Sequence, residues 1–164
     1  MFFRPTFEEF SKAARAKKDQ IEKLRIAAEN NHKSAFNQLS NAFLAFASQM
    51  LPYFEETCEV SCQDYLYFTF DDNLWCYKIT YYPDHRLECI LEYENKQHII
   101  LNYQDDSAES KETLITGDAD IDRATKHFQS SVFMGDIANK LLECIQWKWL
   151  SHISQVLFLP VLCS

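Results

Sequence analysis

The chain has 164 residues, 47% hydrophobic and 15% aromatic, with a formal net charge of −8; this suits one domain with a single core and argues against disorder. Its two glycines are isolated and it has only four prolines, which excludes a Gly-rich phosphate loop and a loop-rich architecture. No signal-like segment opens it, and its longest apolar run, 156–163, is well short of the roughly 20 residues that cross a bilayer, so a cytoplasmic protein without membrane contact is expected.

Thr6 and Glu9 have capping-box spacing, which predicts a helix start. Phe7, Phe10, Ala14, Ile21, Leu24 and Ala28 then form an apolar stripe, interrupted by Lys17 and flanked by basic residues, which implies one packing partner. Asn30-Asn31-His32 is the expected break, because Asn tolerates the left-handed backbone that ends helices. Beyond it Phe36, Leu39, Phe43, Phe46 and Met50 recur at three- and four-residue intervals, the spacing of a seam. The two stripes are out of register, so residues 1–52 read as a helical hairpin or one long broken helix. Residues 53–64 read as an acidic link.

Residues 65–103 carry the strand signals: aromatic and β-branched runs broken by Asp71-Asp72-Asn73, Pro83-Asp84-His85 and Glu94-Asn95-Lys96-Gln97. The clearest alternation is at 86–94, with Leu87, Cys89, Leu91 and Tyr93 on one face and Glu88, Ile90, Glu92 and Glu94 on the other. A four-stranded antiparallel meander follows. Gln104 to Asp118 reads as a solvent-exposed loop, with Leu114-Ile115 available for a fifth short strand. Asp118 or Asp120 then caps a last helix carrying Ile121, Ala124, Phe128, Val132, Ile137, Leu141, Ile145 and Trp149, with Gly135 as its weak point. Trp147 and Trp149, two apart, must face differently. Pro160 is expected to end the helix and let the tail fold back.

The fold class is therefore α+β in a single domain, 1–164: helical to 52, a meander with an acidic loop over 53–118, and a C-terminal helix with an apolar tail over 119–164. Small size, acidity and the order helix, meander, closing helix resemble type III secretion chaperones, a likeness that no motif carries and that assigns no residue a role.

Charge is unevenly distributed. Residues 1–33 hold eight basic and five acidic residues, whereas 53–122 hold four basic and seventeen acidic. An acidic sheet repels nucleic acid and attracts basic surfaces, so direct nucleic-acid binding is not expected. The alternative is that the carboxylates serve only solubility. Asp71, Asp72, Glu88, Glu92, Glu94, Asp105, Asp106 and Glu109, with Tyr65 and Tyr67, are the candidate partner-binding residues.

Six cysteines, at 58, 62, 76, 89, 144 and 163, fall at predicted core positions and suit reduced thiols. Cys58, Cys62, His85 and Cys89 could supply zinc ligands, but small buried hydrophobes are the simpler identity for those thiols, and no cofactor is expected. Five scattered histidines form no nucleophile signature, and paired Asp residues in turns serve the backbone, so no catalytic residue is assigned. The favoured function is a non-enzymatic inhibitor or adaptor for a basic partner surface, competing there with nucleic acid by charge mimicry. The alternatives are a chaperone-like or oligomeric scaffold using Phe36, Leu39, Phe43, Phe46 and Met50 to bind a client or form a homodimer, and a small zinc protein or enzyme.

Overall fold

In the computed structural model, which describes residues 4–162 and the side chains of 4–146, the chain begins with the capping box read from sequence. Thr6 Oγ1 accepts from the Glu9 N–H, and Glu9 returns a carboxylate to the Thr6 N–H. The helix it starts, α1 (Phe7–Ser61), is helical without interruption for 55 residues. The break expected at Asn30-Asn31-His32 is absent because tertiary contacts hold that turn: His32 is tied to groups 80 and 86 residues away. Pro52 also lies inside the helix, and the segment read as an acidic link forms its last turns. Phe54, Thr57 and Ser61 are buried there, and burial outweighs the one hydrogen bond a proline removes. Cys62 ends the helix at φ 56°.

Five strands follow as a meander: β1 (Leu66–Asp71), β2 (Cys76–Tyr82), β3 (Arg86–Tyr93), β4 (Lys96–Gln104) and β5 (Ser107–Glu112), each antiparallel to the next. The fifth strand lies within the segment expected to be a loop, not at Leu114-Ile115, which are both exposed. β5 was hidden because two of its three inward positions, Ser110 and Glu112, are polar and the third, Ala108, is small. Ser110 receives a 2.7 Å hydrogen bond from Ser40 of α1, and Glu112 meets His32. Its charged outward face suits an edge strand.

The closing helix is two: α2 (Asp118–Phe128) and α3 (Ser131–Leu162). The break is at Gln129-Ser130, ahead of Gly135. The backbone of α3 continues through Pro160 to Leu162, so the tail is helical and not folded back; Pro160 costs the helix its own N–H bond, and only two helical residues follow it. The side chains of Trp147, Trp149 and the tail, and Cys163, lie outside the described residues.

The helices cover one face of the sheet. α1 crosses it obliquely, from β5, where His32 meets Glu112, to the β2–β3 turn, where Glu55 lies 3.1 Å from His85. Leu39, Phe43, Phe46 and Met50 are buried and Phe36 is partly buried. Phe46 stacks on Phe133 at 5.5 Å and Phe43 meets Phe128 edge-on at 5.4 Å. The seam expected to bind a second copy or a client is therefore the chain's own core, closed by α2 and α3. Leu87, Cys89, Leu91, Ile99 and Leu101 complete it from the sheet. The earlier stripe, in contrast, has no packing partner among the described residues: Arg4 to Asn31 is exposed throughout, apart from half-buried Ser11. Among the described residues, no helix is long and apolar enough to cross a membrane.

Candidate functional site

The meander sends its turns to two opposite ends. The β1–β2 turn and the Glu94-Asn95 turn share one end; the β2–β3 turn and Asp105-Asp106 share the other. Two-residue hairpins that match strand twist need left-handed backbone at both positions. Without a glycine at either, Glu94 (φ 53°), Asn95 (φ 61°), Asp105 (φ 52°) and Asp106 (φ 62°) supply it.

At the first end, Asp71, Asp72, Glu92 and Glu94 line one hollow of about 320 Å³, in which Lys78 is the one basic residue among the described lining. Each carboxylate has a different task. Asp72 builds the turn: its Oδ1 accepts from the Leu74 N–H at 2.7 Å and the Trp75 N–H, and its Oδ2 accepts from the Tyr77 hydroxyl at 3.1 Å. Burial, reinforced by the Asp72 charge, pushes the Tyr77 phenol far up, so it stays a donor. Glu92 lies 2.6 Å from Lys78 and holds that ammonium above its ordinary range. Asp71 and Glu94 are exposed and in no salt bridge among the described residues. Burial raises the Cys76 thiol in the same hollow to about 11, so it is neutral and a poor nucleophile near pH 7. The Trp75 indole donates to the Asp120 carbonyl at 3.0 Å and fixes the hollow to α2.

The other candidates are placed elsewhere. Asp105 and Asp106 occupy the opposite turn, roughly 30 Å away along the nine-residue β4, where Asp106 accepts from the Tyr103 hydroxyl at 3.1 Å. Glu88, on the outer face of β3, accepts from the Tyr82 hydroxyl at 3.2 Å and lies 3.6 Å from Arg86. Glu109 is exposed on the edge strand β5, and Tyr65 and Tyr67 are exposed at the opposite edge. The structure thus brings four of the ten partner-binding candidates together and leaves six dispersed.

The zinc candidates are not brought together either. Cys89 is fully buried under the sheet, Cys62 is an exposed helix cap, Cys58 is half-buried and His85 stands out on a turn. Among the described residues no three His, Cys, Asp or Glu side chains gather as metal ligands. Of the cysteines expected in the core, Cys89 alone among those described is fully there; burial raises its thiol and those of Cys58 and Cys144.

Sequence reading missed His32. Its Nε2 lies 2.8 Å from Glu112 and its Nδ1 2.8 Å from Asp118, joining α1 to β5 and to the start of α2. No local pattern could have revealed partners so distant in the chain. No protein-family model, curated protein or solved structure matches this chain, so the hollow is interpreted from its own chemistry.

Proposed function

We propose that the protein is a non-enzymatic binding module, an inhibitor or adaptor, that takes a Lys or Arg side chain of a basic partner protein into the hollow between the β1–β2 and β3–β4 turns. The observation carrying this reading is the gathering of Asp71, Asp72, Glu92 and Glu94 around one space in which, among the described residues, Lys78 meets Glu92 and Arg123 lies 3.8 Å from Asp72, while Asp71 and Glu94 are in no salt bridge. With Glu92 engaged by Lys78 and Asp72 engaged by the turn backbone, Asp71 and Glu94 are the acceptors for an incoming guanidinium or ammonium. The carboxylates divide between two ends of the sheet, which favours local capture of one or two basic side chains over mimicry of an extended polyanion. The partner would be drawn in electrostatically and released as salt screens the attraction.

The test uses fluorescence anisotropy of a labelled oligoarginine peptide at low salt. Joint Asp71→Lys and Glu94→Lys substitution is expected to weaken binding about tenfold or more. The matched Asp105→Lys and Glu109→Lys pair, at other places on the sheet, should have a much smaller effect. Equal losses in both double variants would refute the assignment of the hollow.

A further inference from the structure

We propose that two copies of this chain associate through their N-terminal helical arms, residues 7–31, paired antiparallel as a short coiled coil. The arm is continuous with the buried part of α1 yet is exposed along its length apart from half-buried Ser11, extending roughly 37 Å at the rise of an α-helix.

Its exposed stripe, Phe7, Phe10, Ala14, Lys17, Ile21, Leu24 and Ala28, alternates three- and four-residue steps throughout. That is the heptad repeat of helices that pack along one another. The buried seam begins at Phe36, eight residues after Ala28 instead of seven. The single-residue slip turns the arm's stripe by about 100° from the face that packs on the sheet. The arm therefore cannot join its own core, although its apolar spacing is as regular as that of the core seam.

Self-complementarity argues for a second copy. In antiparallel register, Phe7 faces Leu24 of the other copy, Phe10 faces Ile21, and Ala14 faces Lys17; the twofold axis repeats each layer. Large residues meet at both ends, and in the middle the small Ala14 leaves room for the aliphatic stem of Lys17 to lie across it while its ammonium reaches water. A parallel pair would instead set Lys17 against Lys17 and bring two bodies, each of net charge −10 over residues 32–164, alongside each other. Antiparallel pairing sends those bodies to opposite ends. On one flank Ala13, Gln20 and Ala27 are neutral; on the other Ser11 is neutral, Arg25 is bridged to Glu22 and Glu29, and Lys18 lies near the axis.

The area suffices for a reversible dimer. Phe7, Phe10, Ile21 and Leu24 are 83%, 60%, 66% and 63% exposed. At roughly 100–150 Å² from each, the side chains of two copies reach about 1,000 Å² before the alanines and lysine stems are included, near the lower bound of specific interfaces.

Sedimentation equilibrium of the full chain, over about 1 to 500 μM at low and high salt, tests this directly. The expected result is a monomer–dimer equilibrium that salt leaves unchanged or tightens, since screening relieves the repulsion of Lys17 and Lys18 near the axis. Leu24→Lys should give a monomer at every concentration, and Lys17→Leu should tighten the dimer about tenfold or more. Both positions are exposed in the single chain, so circular dichroism of either variant should match the parent. A parent that stays monomeric throughout would overturn the proposal. So would association that survives Leu24→Lys, or that salt weakens, which would seat the arm on an acidic surface instead.

Discussion

His32 Nε2 and Glu112 Oε2 lie 2.8 Å apart, joining the long helix to the edge strand where the exposed arm meets the body. Asp118 takes the other ring nitrogen, and the two carboxylates, Glu112 first, raise the His32 pKa. A group whose folded pKa exceeds its unfolded value stabilises fully below the unfolded value, near 6.5, and loses that contribution as pH rises through the folded one. Urea denaturation should therefore show wild type more stable than His32→Gln by about 1 kcal/mol at pH 5.5. The difference should shrink on moving to pH 8.5. A gap that is constant or grows with pH would exclude the protonated bridge.

Phe46 and Phe10 sit on one helix in opposite circumstances. Phe46 is buried against Phe43, Phe128 and Phe133, whereas Phe10 is exposed. Phe46→Ala should cost about 3–5 kcal/mol by transfer and cavity formation. Phe10→Ala, measured by chemical denaturation at low protein concentration, should stay within about 0.5 kcal/mol.

Asp71 and Asp72 are neighbours with separable tasks. Asp72→Ala removes an acceptor shared by two backbone amides and the Tyr77 hydroxyl, and should destabilise by about 2–3 kcal/mol. Asp71→Ala should leave the unfolding midpoint nearly unchanged and weaken oligoarginine binding. Parallel urea and anisotropy measurements on the two variants separate turn-building from recognition.

The meander was legible because its apolar residues alternate, most clearly at Leu87, Cys89 and Leu91 against Glu88, Ile90 and Glu92. β5 was not, because Ser110 and Glu112 face inward and are satisfied by Ser40 and His32, partners that the local pattern does not show. The spacing of Phe36, Leu39, Phe43, Phe46 and Met50 gave the helix seam correctly but not whether it faced a second molecule or this one. Asn30-Asn31 and Pro52 carry local signals for ending a helix, and long-range packing overrides both. For the site, the excess of carboxylates was visible, while their division between two ends follows from where the hairpins turn.

Glu94 adopts φ 53° in a hairpin turn where a side chain other than Asn or Gly is disfavoured. Glu94→Gly should therefore stabilise the fold by about 0.5–1 kcal/mol while removing an acceptor from the hollow. Thermal denaturation and peptide binding should move in opposite directions. Loss of stability would show that the Glu94 side chain contributes more to the fold than its backbone strain costs.

The most direct measurement of the binding assignment is amide chemical-shift mapping of the folded protein during titration with oligoarginine at low salt. The largest shifts should fall on Asp71–Cys76 and Glu92–Lys96 and reverse when salt is raised. Shifts centred on Pro83–Arg86 and Asp105–Ser107, or spread evenly over both ends of the sheet, would contradict it.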